Sequence, residues 1–154
     1  MDPSCLFCRI VAGDEPAFVV LDEPDVVGFL DVRPVFEGHV LLVPRRHVDT
    51  LTELPDDLVE PLFATARHVA AGVRDALGAQ GTFVAMNNTV SQSVPHLHVH
   101  VVPRTKGDGL RGFFWPRTRY ADDAAADAVA DRLRVALRRD DGAPPHGRDA
   151  VEGA

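Results

Sequence analysis

The run QSVPHLHVHVVPR sets three histidines, His96, His98 and His100, two residues apart, with Leu97, Val99 and Val101 between them. In a strand the side chains alternate, so the three imidazoles share one face and the three aliphatics share the other. Successive imidazoles then lie about 6.6 Å apart along the backbone, twice the roughly 3.3 Å rise of a strand. A surface strand gathers one histidine by chance; three at period two, with Ser93 just ahead, mark a site. Two chemistries suit the row. His-x-His on a strand is a common metal-ligand pair. Alternatively, a neutral imidazole, with an ordinary pKa near 6.5, attacks phosphorus at pH 7 while its neighbours donate to phosphate oxygens or to the leaving group.

Two other stretches carry chemical potential. Cys5 and Cys8 form Cys-x-x-Cys. A redox pair wants a strand before it and a helix opening at the first cysteine, and the run MDPSCLFCRI offers neither in obvious form. From Arg104 to Arg119, five basic residues (Arg104, Lys106, Arg111, Arg117, Arg119) stand against one acid, Asp108, with Phe113, Phe114 and Trp115 among them. Charge interleaved with aromatics suits single-stranded nucleic acid. It equally suits a polyphosphate chain with a second base, or a dimer interface.

The elements that must position these residues follow from pattern. AFVVLDEPDVVGFLDVRP gives strands over 17–21 and 26–31 with DEPD as the turn, hence a hairpin. EGHVLLVPRRH gives a strand over 39–43, stopped by Pro44. PDDLVEPLFATARHVAAGVRDALGA is helical: Leu58, Leu62, Val69, Val73 and Leu77 share a stripe, acids gather at its start and Gly78 follows its end. Pro61 removes a donor there, so a kinked or separate first turn is expected. GTFVAMNN and HLHVHVVP read as two further strands joined by TVSQSVP, and a second helix spans 122–139. The segment 104–120 is loop-like, and the tail 140–154 has too few large apolar residues to order itself. The domain is therefore 1–139, an α+β unit with about five antiparallel strands.

Composition bounds the class. The 154 residues suit one domain with a real core. A formal net charge of -7 argues against a dedicated duplex-DNA binder, yet permits a small anionic substrate in a locally positive cleft. No apolar run approaches the roughly 18 residues of a membrane span, and the N-terminus lacks a signal-peptide pattern. A cytoplasmic protein is expected, in whose reducing compartment a Cys5–Cys8 disulfide is a poor reading.

HLHVHVV fits the His-x-His-x-His-x-x pattern, with x hydrophobic, of the histidine-triad (HIT) superfamily. CLFCRIVAGDEPA, VVGFLDVRPVFEGHVLLVPRRHVDTL and QSVPHLHVHVVPR resemble that family's bacterial members in order and spacing, from about Cys5 to Arg104. The resemblance implies a HIT-like fold that dimerises into a continuous sheet, and hydrolysis or transfer of a nucleoside monophosphate. By that resemblance, His98 attacks the α-phosphorus and His100 sits against the phosphate oxygens. Ser93 contacts the phosphate or assists the leaving group, and His39 is the additional active-site histidine. Asp31 matches the acid that accepts the ribose hydroxyls, and Phe29 and Val32 match the residues around the base; simple core packing explains Phe29 equally well. Gln92 and one of Asn87 or Asn88 fall among the nucleotide contacts. Cys5, Cys8, His47 and His96 match the ligands of a structural Zn2+, which makes His96 structural.

The chain departs from the family pattern at Ser91, where Gly is usual before the Gln. Its loop after the asparagines is about two residues shorter, and Pro95 precedes the triad. The family's uridylyltransferases carry Gln in place of the third histidine; His100 favours a hydrolase. The expected substrate is a dinucleoside polyphosphate such as diadenosine tetraphosphate. The alternatives are nucleoside phosphoramidate hydrolysis, a nucleotide-binding scaffold with vestigial activity, and a metalloenzyme using all three triad histidines on one ion.

Overall fold

The computed structural model describes residues 2–110 and 120–136. Contacts divide the chain into a unit spanning Met1–Asp108 and a second spanning Gly109–Ala154. The first holds α1 (Leu6–Ala12), β1 (Val19–Asp22), β2 (Val26–Leu30), β3 (Val40–Pro44), α2 (Asp56–Leu77), β4 (Gly81–Ala85) and β5 (Val99–Arg104). The second holds α3 (Asp123–Ala136), whose first turn is capped by the Asp122 carboxylate accepting from the Ala125 N–H at 2.7 Å. Residues 111–119, with most of the basic and aromatic segment, and the tail 140–154 lie outside the described residues. No helix among the described residues is long and apolar enough to cross a membrane.

Five strands form one antiparallel sheet in the order β1-β2-β3-β5-β4, the α+β class expected. Both faces are covered, which explains why VVGF and VLLV read as continuous apolar runs instead of alternating. On one face Val26, Val40, Leu42, Leu97, Val99 and Val101 pack under Leu58, Leu62, Ala66, Val69 and Val73 of α2. On the other, Val27, Phe29, Leu41 and Val43 pack against Cys5, Phe7 and Cys8.

Three local expectations are corrected. Helix α2 runs unbroken through Pro61, because the lost donor lies near the amino end where tertiary packing of Leu58 and Leu62 outweighs one missing bond. Leu77, placed on the buried stripe, is half exposed at the last turn, beside Gly78 in the left-handed conformation at φ 66°. A helix does open at the first cysteine: Cys5 is the N-cap of α1, its Sγ accepting from the Cys8 N–H at 3.5 Å. Cap preferences favour Ser, Thr, Asp and Asn, so a thiol cap carries little sequence signal.

Candidate functional site

The histidine row lies in and just before β5. Regular pairing begins at Val99, so only His100 is within the strand, opposite Leu41 of β3 and Ala85 of β4. The alternation extends upstream regardless. Leu97, Val99 and Val101 go beneath α2, while His96 and His98 meet the Phe7 ring edge-on at 6.0 and 5.2 Å. His98 and His100 rings are 4.9 Å apart.

Hydrogen bonds assign the ring protons. His98 Nδ1 lies 2.7 Å from the His96 carbonyl, which can only accept, so Nδ1 carries the proton and Nε2 keeps its lone pair. His39 is set by the β2–β3 loop, which the Asp31 N–H closes onto the His39 carbonyl at 2.9 Å. The Val35 amide donates to His39 Nδ1 at 3.3 Å. His39 Nε2 therefore donates to His100 Nδ1 at 3.0 Å, and neutral His100 presents an Nε2–H. The Asp31 carboxylate is 3.5 Å from the same His39 Nδ1, too long to overrule an amide that can only donate. Burial pushes His39 below its ordinary pKa, opposed by Asp31 and reinforced by His98. Burial, with the two neighbouring imidazoles, lowers His100 to about 4.

His96 faces elsewhere. Its Nε2 donates to the Pro44 carbonyl at 2.9 Å, which turns the Nδ1 lone pair to Cys5 Sγ at 3.5 Å and Cys8 Sγ at 3.7 Å. His47 repeats the arrangement: Nε2 donates to Asp49 Oδ1 at 2.7 Å, and Nδ1 lies 3.2 Å from Cys8 Sγ. The four ligand atoms all lie within 4.8 Å of one another. A tetrahedral ion bound at about 2.3 Å to sulfur and 2.0 Å to nitrogen separates S from N by about 3.5 Å, so the donor set fits a metal of that kind. Burial pushes the Cys8 thiol up, a direction that an adjacent cation reverses. Among the described residues, the three triad imidazoles do not gather as one ligand set.

The remaining expected residues have these surroundings. Asp31 is partly buried, and its Oδ1 accepts from the Arg33 N–H at 2.8 Å. Phe29 is buried, edge-on to Phe7 at 5.4 Å, whereas Val32 is 78% exposed. Asn88 Oδ1 accepts from the Leu51 N–H at 2.7 Å; Asn87 Nδ2 donates to the Ser91 carbonyl at 3.3 Å. Gln92 has both ends of its carboxamide on backbone, accepting from the Thr89 N–H at 2.8 Å and donating to the Asp49 carbonyl at 2.7 Å. Ser93 is exposed. Arg104 of the basic segment is ion-paired with Asp108 at 2.6 Å. Two concavities, of about 340 and 350 Å³, are lined by other residues than the triad, one between the β1–β2 turn and α2, with His68 in its wall, and one beside Phe36 and Pro103.

Sequence reasoning missed Phe7, Asp49 and the Pro44 carbonyl. Asp49 had a legible signal, two residues after His47; the other two depend on how α1 and β3 meet.

A family model described as the HIT domain matches residues 12–107. The chain is 37% identical over 123 residues to "Protein hit" of Bacillus subtilis, covering 78% of this chain and 83% of that one. It is 29% identical over 119 residues to the adenosine 5'-monophosphoramidase HNT1 of Candida albicans, covering 73% and 78%. A crystal structure of a Zn-bound histidine triad family protein from Mycobacterium smegmatis superposes with a TM-score of 0.67 at 35% identity, covering 86% and 97%.

Proposed function

Because the chain belongs to the histidine-triad (HIT) family, we propose that it is a hydrolase cleaving at the α-phosphorus of a dinucleoside polyphosphate, of the diadenosine tetraphosphate kind, through a covalent nucleotidyl-His98 intermediate. The observation that carries this reading is the 2.7 Å bond from His98 Nδ1 to the His96 carbonyl, which selects the neutral tautomer with its lone pair on Nε2. Attack by Nε2 forms a P–N bond and breaks the P–O bond to the bridging oxygen, which leaves with the electron pair on the departing nucleoside polyphosphate. The imidazolium so formed keeps its Nδ1–H on the His96 carbonyl. Water then attacks the same phosphorus, the P–N bond breaks, and His98 departs neutral. The water's proton passes to solvent and a nucleoside monophosphate is released.

The other groups support that step. His100, neutral and with Nε2–H outward, donates to a phosphate oxygen, and Ser93 donates to the phosphate or the leaving group. Asp31 has lone pairs left for both ribose hydroxyls, and exposed Val32 offers apolar surface to the base. Phe29 acts from beneath, through Phe7. Asn87 and Asn88 each have one end of the carboxamide held, Nδ2 by the Ser91 carbonyl and Oδ1 by the Leu51 N–H respectively, and each has the other end to offer the nucleotide. Zinc on Cys5, Cys8, His47 and His96 is part of the same proposal; it would hold the amino-terminal segment against the histidine row. So is a cytoplasmic homodimer with a continuous sheet, since β4 is an edge strand with Val84 45% exposed. The dimer predicts twice the monomer mass in light scattering.

The name of the Candida relative favours a second reading, hydrolysis of a nucleoside phosphoramidate. An amine leaving group must take up a proton, which a phosphate leaving group need not, and side-by-side turnover separates the two. The test of the chemistry is the adduct. After incubation with candidate nucleotides and quenching, mass spectrometry should find a nucleotidyl group on the His98 peptide. His98→Ala should lose turnover by at least 10³-fold while still binding AMP. Near-wild-type turnover in that variant overturns the mechanism.

A further inference from the structure

Between the Cys2His2 cluster and the loop that precedes the histidine row runs a short strap, residues 47–51, whose contacts go to both. On the cluster side, His47 holds Cys8 through Nδ1 at 3.2 Å and Asp49 through Nε2 at 2.7 Å. On the loop side, the Asp49 carbonyl accepts from Gln92 Nε2 at 2.7 Å, and the Leu51 N–H donates to Asn88 Oδ1 at 2.7 Å. Between them the Val48 carbonyl accepts from the Leu97 N–H at 2.6 Å, inside the histidine row itself.

The loop needs such tethers. Thr89 and Ser91 adopt left-handed backbone at φ 66° and 62°, which side chains with a Cβ disfavour. Strain of this kind persists only where surrounding contacts fix it. The contacts here are Gln92, which accepts from the Thr89 N–H at 2.8 Å, and Asn88. Ser93 follows Gln92 directly, and Asn87 donates to the Ser91 carbonyl at 3.3 Å, so the tethers position two of the polar groups offered to the nucleotide.

We propose that Asp49 and Gln92 are positioning residues through which metal occupancy of the Cys2His2 site and nucleotide binding at the loop favour one another. This rests on the zinc and nucleotide readings above. A bound ion fixes the His47 ring, whose Nε2–H fixes the Asp49 side chain; the Asp49 carbonyl then holds Gln92, and Gln92 holds the strained turn. A freed His47 loosens each link in order. Because linkage is reciprocal, nucleotide must tighten the metal by the same factor that metal tightens nucleotide.

The test uses the intact zinc-loaded protein. Zinc affinity is measured by competition with a chromophoric chelator, without and with saturating AMP. AMP should tighten zinc by about 5- to 150-fold, the range of ordinary site-to-site coupling. Gln92→Met, nearly isosteric but unable to bridge, should bind AMP more weakly and bring that factor close to one once AMP is again saturating. Asp49→Ala should weaken zinc by about 10- to 100-fold, as loss of a group that orients a ligand does, and Asp49→Asn, which keeps an acceptor for His47, should restore most of it. An unchanged coupling factor in Gln92→Met would overturn the proposal, because coupling through global unfolding survives that substitution. Wild-type protein that binds both ligands with a factor of one overturns it alone. Protein that binds no zinc, or no AMP, overturns the parent reading and this one together.

Discussion

His100 is the residue whose environment says most about pH. It is packed beside His39 and His98, and burial holds its pKa at about 4 against an ordinary 6.5. Between those two values the unfolded chain binds a proton that the folded protein refuses, so stability is full above pH 6.5 and falls as pH drops toward 4. Urea midpoints at pH 7, 5.5 and 4.5 should therefore decline, with His100 contributing on the order of 2 kcal/mol. His100→Gln should flatten the slope without removing it, since burial lowers His39 in the same direction. Ser91 makes a second residue-scale prediction. Held at φ 62°, it bears a Cβ where glycine would bear none. Ser91→Gly should raise stability by roughly 0.5 kcal/mol, the relief of left-handed strain less the extra entropy of the unfolded chain, read as a rise of one or two degrees in Tm. That position was legible as a departure from the family pattern; its strain was not, because backbone angles in a short loop are set by its tethers.

At the scale of elements, the β2–β3 loop does the positioning, and one glycine permits it. Gly38 sits at φ 85°, and a Cβ there would run into Leu77 Cδ1 at the end of α2. Gly38→Ala should cost about 1–3 kcal/mol by thermal or urea unfolding. Adding Leu77→Ala should return the steric part and leave the part due to φ. The strands, α2 and the Asp122-capped α3 were readable from apolar pattern and caps, most ends to within a residue or two; β4 stops at Ala85 and β5 opens at Val99, each three residues short of the expected run. The uninterrupted passage of α2 through Pro61 was not, because local propensity there is outweighed by the burial of Leu58 and Leu62 against the sheet. Helix α1 escaped notice because it is seven residues long and capped by a thiol.

At the scale of the molecule, two apolar layers lie on opposite faces of one sheet, and the Cys2His2 cluster ties the smaller layer, with Cys5, Phe7 and Cys8, to the histidine row. On the zinc reading proposed above, stripping the metal with a strong chelator should lower Tm by several degrees while α2 and its partners stay folded. Near-ultraviolet dichroism should change more than far-ultraviolet dichroism. Activity should fall only as structure is lost, because no described geometry brings the three triad imidazoles onto one ion. Prompt and complete loss of turnover with no change in dichroism would favour a catalytic metal instead.

The sequence by itself determined the residues that matter: three histidines at period two, a Cys-x-x-Cys, an Asp before a loop, and apolar strands enough for one sheet. Those are properties of residue type and spacing, and period-two alternation alone divides the imidazoles from the aliphatics. Only the tertiary structure decided which nitrogen of each imidazole carries a proton, because that depends on carbonyls distant in the chain, such as Pro44 for His96, or on the turn of the backbone, such as the His96 carbonyl for His98. It likewise set His96 Nδ1 against the two cysteines, which the family resemblance implied and residue spacing could not show. Spacing places groups on a face; the packing of that face against the rest of the chain sets what each group can do.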